Sequence, residues 1–270
     1  MLILRKGGIS MSISSISNVS RRNLYQNYRQ LASGKRINSA ADDAAGLSIA
    51  EKLRTQRNGY DVGRRNVATS KDMVNVAEGG LSTITDSLQR IRELGVQASN
   101  TAIYGDSERN AMQQEIDQLK QSISDAAKNT TFNTMNLLDG KMGTSHVASG
   151  PDGSGMEINM PDSTLAALGI EDFDVTGDFD LSVIDNALDK VSSSRSELGA
   201  TSNRLDYTMN YNSYASLNTT AAGSRIEDLD FPKAISDMKK NNLLEEYRLM
   251  MQKKREEENG RVVQLLRFNS

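Results

Sequence analysis

The chain has 270 residues, a formal net charge of -3, no Cys, no Trp and only 5% aromatics. A nearly balanced charge gives no electrostatic case for nucleic acid, which needs a concentrated cationic face. The lack of Cys excludes disulfide and thiolate chemistry. Only three Pro occur, so long helices are permitted, and the core has to be built from Leu, Ile, Val, Met and Ala instead of aromatic bulk.

The opening MLILRKGG places four apolar residues before two cations. A cleavable signal needs an apolar stretch of about 7–15 residues after its charges, so the expectation is export without one. No window reaches the roughly 20 apolar residues of a membrane span, so membrane insertion is not expected. Leu24, Tyr28 and Leu31 then share a helical face, which Gly34 interrupts.

Residues 64–100 carry the clearest periodicity. Val67, Ser70, Val74, Ala77, Leu81, Ile84, Leu88, Ile91, Gly95 and Ala98 alternate spacings of three and four, a heptad seam containing small residues. After a turn at 100–106, Met112, Ile116, Leu119, Ile123 and Ala126 repeat the spacing. Two helices joined by a short polar loop read as an antiparallel pair. Ser107, with Asp106 before it, is the expected N-cap of the second.

Residues 140–180 break the pattern. GKMGTSHVASGPDGSGMEINMPDS is rich in Gly and Ser and reads as turns and short strands, with Met156, Ile158 and Met160 alternating as in a half-buried strand. EDFDVTGDFD then reads as an exposed acidic hairpin. From residue 181 the helical period returns through Ile184, Leu188, Val191, Leu198, Leu205 and Met209, with polar Arg195 and Ser202 on the seam; such positions fix register at some cost in stability. Near the C-terminus Leu243, Leu244, Tyr247, Met250 and Met251 fall together, followed by KKREEE at 253–258 and the apolar VVQLLRF. The spacing suits a helix laid into a groove, and packing of one copy on another uses the same face. KKREEE by itself is a solvated helical face, and the 12 Met fill gaps in an aromatic-poor core.

Metal and phosphate chemistry find little support. His146 is the only His, so no histidine-paired metal site exists, and it reads as a solvated loop residue. SGPDGSG lacks the Lys-Ser/Thr of a phosphate cradle and reads as a turn. The alternating acids of 171–180 lack the Glu required at the twelfth position from Asp172, where Val183 stands. No catalytic, cofactor or metal residues are assigned, and an enzyme is not expected: the insert is short and holds no His-Glu-x-x-His.

Five stretches carry a family resemblance. LASGKRINSAADDAAGLSIAEKLRTQ (31–56), LQRIRELGVQASN (88–100), FNTMNLLDG (132–140), SSRSELGATSNRL (193–205) and SRIEDLDF (224–231) occur in this order, and the chain resembles bacterial flagellins. The resemblance implies an all-α fold: an antiparallel coiled-coil helical bundle with a small β-hairpin insert and paired helical ends. It implies an inner terminal-helix domain from 1–44 and 226–270, a coiled-coil core domain from 45–140 and 181–225, and a short variable insert at 141–180. It also implies an extracellular filament subunit of the flagellum. The implied partners are further copies, an export chaperone and export apparatus, and the filament cap and hook-junction proteins. A host Toll-like receptor is a further partner, meeting a surface at Arg90, Leu94 and Glu115 beside ordinary subunit packing. Leu243, Leu244, Tyr247, Met250 and Met251 are the expected chaperone or assembly face. Two departures stand out: the first twenty residues lack the family's Asn- and Leu-rich opening, and the C-terminal end is charged where the family is rich in Ala and Gln. They leave a poorly polymerising paralogue and a hook–filament junction protein as alternatives.

Overall fold

The computed structural model describes residues 24–268, with side chains described through residue 262. The MLILRKGG opening, and the side chains of the apolar run after Val262, lie outside the described residues. In chain order the elements are α1 (residues 24–33), α2 (Ala44–Ala98), α3 (Asp106–Asn129), β1 (Thr131–Phe132), β2 (Met135–Asn136), β3 (Thr144–Ala148), β4 (Gly155–Asn159), α4 (Leu165–Leu168), α5 (Ser182–Glu227) and α6 (Phe231–Phe268). The fold is a helical bundle with two small antiparallel hairpins, β1–β2 and β3–β4. The described elements divide into two compact units, one with the chain up to Arg54 and from Thr219, the other with Thr55–Asn218.

The Thr55–Asn218 unit is held by the heptad seam. Val67, Val74, Ala77, Leu81, Ile84, Leu88, Ile91 and Ala98 of α2 are fully buried and pack with Ile116 and Ile123 of α3 and Ile184, Ala187, Val191, Leu198 and Leu205 of α5. Removal of this apolar surface from water is the main driving force of the unit. On α5 Ile184, Val191, Leu198 and Leu205 are buried as expected, but two seam positions move by one residue: Ala187 and Thr201 take the deep positions, and Leu188 and Ser202 are half-buried. Small side chains let α5 approach its neighbours closely. Arg195 does interrupt the seam, reaching toward Glu78 at 3.9 Å. The start of α3 also differs from expectation. Gly105 is its N-cap, and its N–H donates to the Glu108 carboxylate at 3.0 Å, so Asp106 and Ser107 already lie inside the first turn.

The segment between α3 and α5 packs into the same core. Asn133 and Thr134 both have positive φ, as a tight I′-like turn requires, and they reverse the chain between β1 and β2. In β3–β4, Val147 and Ile158 face inward, and Met160, Leu168, Ile170, Phe173 and Val175 continue the cluster. The SGPDGSG turn closes this hairpin, with Ser149 and Gly150 N–H groups both donating to the Ser154 carbonyl. Its tip rests on helices: buried Asn212 of α5 donates to the Ser149 carbonyl at 2.9 Å, and Asn66 of α2 to Ala148 at 3.0 Å. Two glycines of α2 make the approach possible. A Cβ at Gly63 would lie 1.9 Å from the Ser149 oxygen, and one at Gly59 2.5 Å from Pro151 Cα. His146 is therefore a strand residue facing solvent, paired across the ladder with Glu157, and not a loop residue. The acidic stretch 171–180 forms turns and bends without paired strands, because its carboxylates satisfy nearby backbone instead. Asp174 accepts from the Thr176 N–H at 2.7 Å, and Asp180 from the Ser182 N–H at 2.9 Å.

Candidate assembly surfaces

In the other unit, two of the stretches that carry the family resemblance, 31–56 and 224–231, meet. Gly34 ends α1 with φ +70 and donates to the Gln30 carbonyl, a left-handed cap that suits Gly. The chain then runs antiparallel to the end of α5. Lys35 bridges Asp228, Arg36 N–H donates to the Glu227 carbonyl at 2.7 Å, and Leu229 N–H donates to Gly34 at 3.0 Å. Glu227, whose side chain is only 14% exposed, receives Lys35 Nζ at 2.5 Å and Arg54 at 3.0 Å. The Lys35 hydrogen bond, helped by Arg54 and opposed by burial, holds the Glu227 carboxyl below its ordinary range.

Asp42 organises the connection to α2. It accepts the backbone N–H groups of Asn38 and Ser39, the Ser39 hydroxyl and the Arg29 guanidinium. Burial alone would raise its pKa, but these donors outweigh burial and lower it. Asp43 caps α2 by accepting from Gly46 N–H at 2.8 Å, and buried Ile37 closes the turn. Asp230 performs the same capping for α6 through Lys233 N–H. INSAADDAAG is thus a turn-and-cap device, and the GKR before it meets SRIEDLDF where α5 ends at Glu227 and the chain passes through 228–230 into α6.

Beyond this junction α6 runs for 38 residues with little apolar asymmetry. Leu243, Leu244, Tyr247, Met250 and Met251 are all exposed.

On the coiled-coil unit, Arg90 and Glu115 are brought together from α2 and α3, with a guanidinium–carboxylate distance of 2.8 Å, and Glu93 adds a second contact at 3.0 Å. The Glu115 hydrogen bond, reinforced by Glu93, raises the Arg90 pKa. Leu94 does not join this surface. It is 2% exposed, because it stands three residues after Ile91 and four before Ala98 of the seam and follows the core. The ion-paired patch is therefore polar, without an apolar centre. A surface not foreseen lies on α5, where Tyr207, Tyr211, Tyr214 and Leu217 are exposed. Tyr211 meets the Tyr60 ring edge-on at 6.2 Å. The signal was present in the sequence as aromatic spacing of four and three, offset from the buried seam. The 171–180 turns border a cavity of about 350 Å³ lined by Asp172, Phe173, Asp178 and Phe179 among others. Among the described residues no group of three or more His, Cys, Asp or Glu is arranged to hold a metal ion.

Comparison with known proteins places these features in one lineage. Residues 7–142 match the bacterial flagellin N-terminal helical region, and residues 181–266 match the bacterial flagellin C-terminal helical region. The flagellin of Bacillus subtilis (strain 168) is 36% identical, with 94% of this chain and 95% of that protein covered. The flagellar filament core protein flaB2 of Brachyspira hyodysenteriae is also 36% identical, covering 82% of this chain and 84% of its own. A putative flagellar hook-associated protein from Vibrio parahaemolyticus shares the fold with a TM-score of 0.58 over 69% of this chain and 100% of its own, at 17% identity. That last likeness is one of fold alone, whereas the family matches take in both the GKRINSAADDAAG turn and the SRIEDLDF stretch it meets. The chain belongs to the bacterial flagellin family.

Proposed function

We propose that this protein is a structural subunit of the bacterial flagellar filament, extracellular in its working state, and that its terminal segments drive polymerisation. The observation that carries this reading is the row of apolar side chains exposed on α6 among the described residues, in contrast to the sealed seam of the coiled-coil unit. A sealed unit needs no partner to fold. A long helix with exposed Leu, Tyr and Met gains stability by burying them, and in this reading another copy of the chain covers them. A repeated contact of this kind that does not close into a ring propagates as a helix. In this reading, residues 1–44 and 226–270 form the inner part of the filament, 45–140 and 181–225 the coiled-coil layer, and 141–180 a short outer insert. No helix among the described residues is long and apolar enough to cross a membrane. Delivery through the flagellar export apparatus fits that finding.

The same α6 patch is the proposed docking face for an export chaperone before assembly, and growth would proceed between hook-junction and cap proteins. Receptor recognition by a host, if this chain meets one, would rest on Arg90 and Glu115 with Glu93. Names of relatives such as filament core protein favour a polymerising subunit over a junction protein. The direct test is electron microscopy and sedimentation of the purified full-length chain, alone and with sheared filaments added as seeds. Helical filaments, absent when residues 231–270 are removed, are expected. Soluble monomer under every seeded condition would favour the non-polymerising paralogue.

A further inference from the structure

The chain has 12 Met and no Cys, so its sulfur redox chemistry rests on thioethers alone. Their exposure is uneven. Met73 and Met160 are buried in the coiled-coil core, and Met112, Met142, Met156 and Met209 pack half-buried against it. Met250 and Met251 are 67% and 42% exposed, side by side in the α6 patch with Leu243, Leu244 and Tyr247. Among the described residues, Met238 is half-buried earlier on α6, and Met135, 45% exposed on β2, is the comparable thioether outside that patch.

We infer that Met250 and Met251 form an oxidation site for peroxides, and that their conversion to sulfoxides blocks assembly of the free subunit. The inference rests on the reading of α6 as the assembly face. The sulfur lone pair attacks one peroxide oxygen; the O–O bond breaks as the S–O bond forms. The departing oxygen takes up the proton of the transferred hydroxyl and leaves as water. Sulfur is oxidised by two electrons, and the peroxide is reduced by two. The product replaces a flexible apolar group with a polar S–O group that accepts hydrogen bonds. Exposed to water, that oxygen is solvated at no cost. Buried in a subunit contact without a donor, it carries a desolvation penalty. Oxidation therefore leaves the monomer intact and acts only when α6 must be covered. Assembly in turn hides the sulfurs, so a formed filament resists the same oxidant.

The test exposes full-length monomer to hydrogen peroxide and follows each Met by peptide mass spectrometry, then measures the critical concentration for seeded polymerisation. Met250, Met251 and Met135 are expected to oxidise well before Met73 and Met160. The critical concentration is expected to rise about tenfold or more, the effect of one poorly paired buried polar group. The M250L/M251L double variant keeps apolar volume and is expected to polymerise equally before and after peroxide, whereas M135L behaves like the parent. Equal assembly by parent protein carrying both sulfoxides would overturn the inference, as would peroxide sensitivity undiminished in M250L/M251L. If untreated protein fails to elongate seeds, the filament reading falls. The order of oxidation still decides the site, and early oxidation of Met73 or Met160 relative to Met250 would refute it.

Discussion

The helices α2 and α6 are built from similar residue types, yet they do opposite things with them. In α2 an apolar or small residue recurs every three or four positions and is sealed between α3 and α5. In α6, Leu243, Tyr247 and Met250 follow the same spacing and remain exposed. The period alone therefore does not say whether a face is already covered. What separates the two, among the described residues, is whether other helices of the same unit cover the face. Truncation should expose the difference most strongly. Leu88→Ala or Ile91→Ala removes fully buried side chains and is expected to cost about 2–5 kcal/mol, read as a lowered thermal midpoint of the monomer. Leu243→Ala is expected to leave that midpoint within about 0.5 kcal/mol, as surface substitutions do, while raising the critical concentration for polymerisation. A monomer melt equally sensitive to all three would erase the distinction.

The next effect comes from the hairpin tip. Gly63→Ala puts a methyl group 1.9 Å from the Ser149 oxygen, so the tip or the helix must shift. Overpacking of this kind costs about 1–3 kcal/mol. The gain in helix propensity, up to about 1 kcal/mol, opposes it. Gly79→Ala on the same helix meets open space and is expected to stabilise. Opposite signs for the two substitutions in chemical denaturation would establish that the tip is seated on α2.

How much of this was legible in sequence depended on whether the deciding contact was periodic. The α2 seam could be read because Leu81, Ile84, Leu88 and Ile91 announce themselves. On α5 the deep positions fell to Ala187 and Thr201, whose side chains give a weak hydropathy signal beside Leu188. Leu94 was ambiguous by construction: it is four residues from exposed Arg90 and three from buried Ile91, and packing resolved it toward the core. The seating of the β3–β4 tip on Asn66 and Asn212 had no local signal, since it depends on a polar contact 63 residues apart in sequence. The GKRINSAADDAAG turn was recognised through its family resemblance; its mechanics, with Asp42 as acceptor and Glu227 as counter-charge, needed the fold.

Those two carboxylates give the junction a pH dependence that the coiled-coil seam lacks. Both have folded-state pKa values below the ordinary 3.8 of Asp42 and 4.5 of Glu227. A depressed pKa contributes stability that is complete above the unfolded value and is lost as pH falls through the folded one. The junction should therefore hold at neutral pH and loosen below about pH 4.5. Glu227→Gln keeps the shape but removes the charge, and is expected to cost about 1–2 kcal/mol at neutral pH and to flatten the acid limb. Hydrogen exchange at Arg36 and Leu229, whose N–H groups cross the junction, reads this directly. An acid limb unchanged in the variant would assign the pH dependence to other carboxylates.

The smallest expected effect lies in the charged run of α6. Lys253, Lys254, Arg255, Glu256, Glu257 and Glu258 are all exposed. Within one helix the order is unfavourable, because a cation four residues before an anion pairs less well than the reverse. Between head-to-tail copies, however, the cationic segment of one chain can meet the anionic segment of the next. Exposed pairs contribute about 0.2–1 kcal/mol each and weaken as salt shortens the screening length to about 8 Å at physiological ionic strength. Polymerisation is therefore expected to fall with added salt, against the usual strengthening of apolar contacts by kosmotropic salts. Sodium chloride, not sulfate, is the salt to use. Replacing only 253–258 with an uncharged Ala/Gln-rich stretch, which leaves Tyr247, Met250 and Met251 in place, is expected to remove the salt dependence of filament yield in sedimentation. Exchanging the two triplets, so that EEE precedes KKR, separates the remaining possibilities. If pairing runs between copies, the exchanged chain polymerises with itself but mixes poorly with the parent. If the charges merely face water, the two chains copolymerise freely at every salt concentration, and the idea of pairing between copies is lost.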